Sequence, residues 1–157
     1  MRALALIIVA GVLVACGGSA SALAPGEPCP VTEPNGSMPP LKPGERVSAN
    51  HHGDGNLWTS LWSAGKVVFE PGGPGVVDEH GLAMKWVWWL ADTSGQLQVE
   101  GRRLDAAGPP LEVIPPYGGK DHLWNTGLLF PTVGCWEVTG RAGDATLTFV
   151  TEVVSLY

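Results

Sequence analysis

Apolar and polar residues alternate most regularly at the C-terminal end of the chain, over residues 134–141 and 145–154. A period of two is that of a half-buried strand, so two antiparallel strands are predicted there. A tight turn at Ala142-Gly143, flanked by Arg141 and Asp144, pairs Val138 with Leu147 and Trp136 with Phe149 on one face. The opposite face carries Glu137, Thr139, Thr146 and Thr148, which suit water, together with Cys135 and Val150, which need a cover.

Upstream, residues 57–62 and 66–70 read as a first hairpin around the turn at 63–65, with Trp58 and Trp62 sharing one face. Residues 83–90 and 96–104 read as a second, joined by 92–95. Leu90 then faces Leu97, Trp88 faces Val99, and Trp86 lies across Gly101, where the missing side chain leaves room for an indole. Short strands are expected at 111–114, between Pro109-Pro110 and Pro115-Pro116, and at 126–130. Residues 51–56, 71–75 and 78–81 are glycine-rich or polar bends, and 30–46 is an extended, proline-rich lead-in. With 22 glycines, 14 prolines and no sustained helical period, the chain predicts an all-β fold: an antiparallel β-sandwich of about eight short strands over residues 46–157.

The N-terminus departs from this pattern. Met1-Arg2 is a charged start and residues 3–15 are an unbroken apolar run, the make-up of a secretory signal peptide; thirteen residues are too few to span a bilayer, which takes roughly 20. The run ends in Leu13-Val14-Ala15-Cys16, which resembles the bacterial lipobox. That resemblance implies cleavage after Ala15 and lipidation of Cys16 by a diacylglyceryl group and an N-acyl chain such as palmitate. The expected organisation is a signal peptide at 1–15, a lipidated cysteine with tether and lead-in at 16–45, and the sandwich at 46–157. The expected place is the cell membrane or outer membrane, lipid-anchored on the extracytoplasmic side.

Charge narrows the partners. Removing residues 1–15 takes away one arginine and leaves eight basic against 15 acidic residues, a net charge of −7, which argues against nucleic acid and against adhesion to anionic lipid through charge. With Cys16 lipidated, Cys29 and Cys135 remain, and two cysteines in an oxidising compartment most simply form a disulfide. It would clasp the lead-in onto the face that carries Cys135. The alternative is two buried or free thiols.

The phrase Phe130-Pro-Thr-Val-Gly-Cys-Trp-Glu-Val-Thr139 is similar to the last strand pair of bacterial immunoglobulin-like domains, which makes an immunoglobulin-like sandwich the expected fold. The mature chain as a whole resembles uncharacterised bacterial lipoproteins, a likeness that implies no activity. Candidate chemistry is sparse. His51, His52, Asp54, His80, Asp121 and His122 fall in predicted loops that would bind a metal ion if they converged; the ordinary reading is polar loop residues beside glycines. Among seven tryptophans, Trp86, Trp88 and Trp136 are placed inward, while Trp89 and Trp124 are left for a glycan or protein partner. No nucleophile elbow, phosphate loop or zinc-protease helix is present, so the chain is expected to be no enzyme and to carry no cofactor. The expected role is a non-catalytic interaction or structural module for an envelope protein or glycan, with a ligand-binding module as the alternative.

Overall fold

A computed structural model describes residues 22–24, 26–41, 49–92 and 95–157. The leader, Cys16 and the tether as far as residue 21 lie outside the described residues. The rest is all-β, in two facing sheets. The first contains β1 (His51–Gly53), β2 (Leu57–Ser60), β5 (Gly81–Leu90), β8 (Leu123–Phe130) and β7 (Glu112–Gly118) in that order, with β4 (Val76–Asp78) also paired to β5. The second runs β3 (Lys66–Phe69), β10 (Ala145–Ser155), β9 (Gly134–Ala142), β6 (Gln98–Arg103). All neighbours are antiparallel except β3 and β10, which are parallel. The expected β-sandwich is therefore what forms, with ten strands among the described residues; the short β1 and β4 are the ones the sequence pattern hides.

Alternation determines the core. Leu82, Met84, Trp86, Trp88 and Leu90 of β5 face Trp136 and Val138 of β9 and Leu147, Phe149 and Val153 of β10, and all are buried. The Trp86 indole stacks on Phe149 at 5.1 Å, and Phe130 meets Trp136 edge-on at 5.7 Å. The indole nitrogens of the three fully buried tryptophans each have an acceptor. Trp86 Nε1 donates to Thr59 Oγ1 (2.8 Å), Trp88 Nε1 to Thr126 Oγ1 (3.2 Å) and Trp136 Nε1 to the Thr132 carbonyl (3.0 Å).

The C-terminal ribbon forms with the expected faces, but two residues out of the expected register. Val138 pairs with Phe149 and Trp136 with Thr151, around a loop of Gly143 and Asp144. Gly143 has φ +57°, and the slip puts it at the first loop position, where a two-residue hairpin needs a residue tolerant of positive φ. An even slip leaves every side chain on its original face.

Two predicted hairpins do not form. β5 pairs with β8, not β6, and β6 pairs with β9, so residues 83–90 and 96–104 lie in opposite sheets. Likewise β2 joins β1 and β5, while β3 joins β10; the 3-10 turn Ser63–Gly65 carries the chain from one layer to the other. Both strands of each predicted hairpin bury one apolar face, and placing them in facing sheets buries those faces against each other. A glycine does accommodate an indole, but it is Gly140 beneath Trp88; Gly101 makes room for Leu111. Trp58 and Trp62 part company too: Trp62 meets Trp86 at the core, whereas Trp58 lies on the outer face, over Gly53.

The lead-in forms a strap. Cys29 is disulfide-bonded to Cys135, closing 106 residues of chain, and the predicted cover for that face is in place. Thr32 then bonds Val150 twice, through its backbone N–H to the Val150 carbonyl (2.9 Å) and through its hydroxyl to the Val150 N–H (2.8 Å). Further on, the Asn35 amide bonds both the carbonyl and the N–H of Gly53 (2.7 and 3.2 Å), standing in for a strand at the free edge of β1. Ser37 accepts from Trp58 Nε1 (2.9 Å) and Pro39 is buried, so the strap crosses from the second sheet to the first.

The contact between Gly140 and Trp88 gives a direct test of the core. A Cβ at residue 140 would sit 2.5 Å from Trp88 Cζ3, and that ring is wholly buried. Gly140→Ala is expected to cost about 1–3 kcal/mol through overpacking, read as a lowered midpoint in urea at unchanged slope. A midpoint equal to that of the unaltered chain would show that the ring is not held there.

Candidate functional site

The metal candidates are dispersed. His51 and His52 are strand residues in β1, not loop residues; His51 is 4% exposed, edge-on to Trp89 with ring centroids 5.0 Å apart. Asp54 accepts the backbone N–H groups of Asn56 and Leu57, both at 2.8 Å, and so shapes the β1–β2 turn. His80 is exposed in the β4–β5 turn beside Glu79. Asp121 and His122 both have positive φ after β7, and His122 Nδ1 lies 2.8 Å from the Leu90 carbonyl. Leu90 and Gly81 are the two ends of β5, roughly 30 Å apart at strand rise, so His80 is remote from His51 and His122. Among the described residues no group of three or more His, Cys, Asp or Glu is placed to hold a metal ion.

The two tryptophans kept for a partner also separate. Trp124 lies in β8 and points inward, half-buried against the core and packed beside Gly119, so its predicted loop is a strand. Its Nε1 has no hydrogen-bond partner among the described residues. Trp89 points outward from β5, also half-buried, between Trp58 of β2 and Leu123 of β8 in the ladder. Both indoles are therefore partly exposed, on opposite faces of the first sheet.

What the structure brings together is a surface. Residues that alternate with the core on the first sheet form four cross-strand rows: Trp58, Trp89, Leu123; Val87, Asn125, Tyr117; Lys85, Gly127, Ile114; and Val76, Ala83, Leu129, Glu112. Val76, Ile114 and Tyr117 are each more than half exposed. The strap bonds Trp58 and caps β1, so it shields the β1–β2 end; among the described residues no segment lies over β4, β5, β8 and β7. Lys85 and Glu112 are the only charged residues in these rows, both exposed.

The outer face of the second sheet is the reverse. Arg102 pairs with Glu137 (2.8 Å), Arg141 with Glu100, Lys66 with Glu152 (2.7 Å), and Thr139 with Thr148 (2.9 Å). Exposed pairs like these contribute about 0–1 kcal/mol each, so they mark a solvated face more than they stabilise it. At its margin Arg103 bonds Asp105, and that hydrogen bond holds the Asp105 carboxyl below its usual range.

Sequence reasoning reached Trp89 on the apolar face but missed Val76, Ile114 and Tyr117. The alternation of Glu112, Val113 and Ile114 was a usable signal. The strand was ended at Ile114 because Pro115-Pro116 follows, yet β7 continues through both prolines by shifting register between Ile114 and Tyr117. An edge strand tolerates them: one of the two has its missing N–H on the unpartnered side, and the register shift against β8 takes up the other.

No protein-family model matches the chain, and no curated protein matches it. Among the described residues no helix is long and apolar enough to cross a membrane.

His51 gives this end of the sheet a pH dependence. Burial against Trp89 lowers its pKa from 6.5, because the imidazolium would lose its water. The unfolded chain then takes up a proton that the folded chain resists. Stability is level above about pH 6.5 and falls as pH drops from there toward the lowered folded value. His51→Gln is expected to flatten the decline between pH 7 and pH 5 in urea titrations. An equally steep decline in the variant would assign it to other groups.

Proposed function

We propose that this chain is a lipid-anchored lipoprotein of the bacterial envelope, whose sandwich is a non-catalytic interaction module that engages its partner through the outer face of the first sheet. The observation that carries the module reading is the contrast between the two outer faces. A solvated sheet needs polar residues at alternate positions, and the second sheet has them in paired array. The first exposes Val76, Ile114 and Tyr117 beside half-buried Val87, Trp89, Leu123 and Leu129. Contiguous exposed apolar surface of this kind marks interaction sites.

The anchor rests on Met1-Arg2, the apolar run and the lipobox-like Leu13-Val14-Ala15-Cys16. The Cys29–Cys135 disulfide supports it, because such bonds persist in oxidising compartments. The immunoglobulin-like assignment belongs to the same reading and rests on the likeness of residues 130–139. Leu23 donates its N–H to the Leu104 carbonyl (2.8 Å), so the body begins seven residues after Cys16. Seven extended residues reach at most ~25 Å, a shorter tether than the sequence pattern implies. Leu104 follows β6 of the second sheet, so Leu23 is held at the polar layer.

Two measurements test this reading. Intact mass spectrometry of the membrane-extracted chain is expected to show a species starting at a lipid-modified Cys16, and Cys16→Ser is expected to abolish it; an unlipidated mature chain refutes the anchor. A photo-crosslinking amino acid at Tyr117 is expected to give a protein adduct in cells, and one at Thr148 on the polar face none. Equal yields at the two positions refute the assignment of the surface.

A further inference from the structure

The charges on the apolar face identify an occupant. The side chains of Lys85 and Glu112 have no hydrogen bond or ion pair among the described residues, whereas the cations of the opposite sheet face are paired. Lys85 stands in the row with Gly127 and Ile114, and Glu112 in the next row with Leu129 and Ala83. They are thus two strands and two residues apart, about 12 Å by ladder spacing, on either side of β8. Both have their long axes free to reach a layer packed above, since facing sheets lie about 10 Å apart.

We propose that this face binds a second copy of the same chain about a two-fold axis, with Lys85 of each copy paired to Glu112 of the other. This rests on the proposed interaction surface and names its partner. Two faces that meet are related by an axis lying in the plane between them. An axis running through the midpoint of the line from Lys85 to Glu112, and perpendicular to that line, passes over β8 between Gly127 and Leu129. It sets each cation over a carboxylate twice and lays Ile114, Tyr117 and Leu129 close to their counterparts. Asp78, at the far end of β4, is taken up by the turn to His80, and the remaining pair of opposite charges is complementary to its own rotated image, as an isologous contact requires. The uncovered part of the sheet, β5, β8 and β7 with the three residues of β4, presents roughly 450 Å² of flat area, so a pair buries at most about 900 Å² before side-chain relief. That is the size of a weak contact. A lipid anchor would confine the copies to one bilayer and raise their mutual concentration, which lets a contact of this size be populated. The bilayer itself is a poor occupant, because the chain, at net charge −7 once residues 1–15 are removed, is repelled by anionic lipid, and Leu23 is held at the opposite layer.

The test is a charge exchange read by sedimentation equilibrium of the full chain in density-matched detergent. The unaltered chain is expected to associate as a dimer. K85E and E112K, each of which sets two like charges face to face, are expected to weaken association at least tenfold, and the double variant K85E/E112K to restore it to within about threefold. A chain that is monomeric at about 100 µM, single reversals without effect, or a double variant as weak as the singles would each overturn the proposal. Circular dichroism of each variant separates lost association from lost fold. The adduct at Tyr117 distinguishes the two levels of the argument: an adduct to a different protein from a monomeric chain refutes the dimer and keeps the interaction surface, whereas no adduct refutes both.

Discussion

Three buried indoles between two sheets set the terms for the rest of the fold. An indole offers a large apolar body and one N–H that cannot be left unbonded in a dry core without a cost of about 1–3 kcal/mol. Trp86 meets that requirement through Thr59, whose own hydroxyl donates to the Val87 carbonyl (2.9 Å), so one buried threonine ties β2 to β5 through both side chain and backbone. Trp88 uses Thr126 on the other flank of β5. The threonines sit in the two ladders that hold β5, and they explain why polar residues appear at inward positions of β2 and β8. Volume is handled from the opposite layer, where Gly140 admits the Trp88 ring.

A sandwich centred on these rings still has open edges, and the strap closes one of them. β3 covers β10 only from Glu152 onward, so the earlier edge of β10 would stand unpaired at Val150. Thr32 takes that place, held there by the disulfide three residues earlier. Asn35 performs the same service for β1 with a side-chain amide, which carries one donor and one acceptor like a peptide group. Because the strap ends its path over Trp58, it also decides how much of the outer face remains for anything else to touch.

The all-β class, the inward tryptophans, the faces of the C-terminal ribbon and the disulfide were legible in the sequence, because each follows from alternation or from cysteine count. Strand pairing was legible only where a short turn enforces it. Residues 83–90 and 96–104 carry complementary apolar faces, and that complementarity is the same whether the strands lie side by side or across the core; nothing local distinguishes Gly101 from Gly140 as the site under an indole. Nor could separation along the chain show that His80 and His122 sit at opposite ends of β5. The surface was harder still. Trp89 drew notice as a tryptophan, but Ile114 and Tyr117 were hidden by the assumption that Pro115-Pro116 ends a strand, an assumption that fails at an edge.

Those prolines also bear on how the chain meets a partner. An edge strand is normally the easiest place for another chain to add, through a ladder of backbone bonds. In β7 two successive residues lack an N–H and the register is broken beside them, so a continuous ladder cannot form along that edge. The opposite margin is blocked by Asn35 at Gly53. With both outer edges of the first sheet spoiled for pairing, contact by side chains across the face is the route left open. Face contact depends on which side chains stand in which row, whereas a backbone ladder accepts almost any extended segment. The placement of Lys85 and Glu112 has meaning only in the first kind of contact.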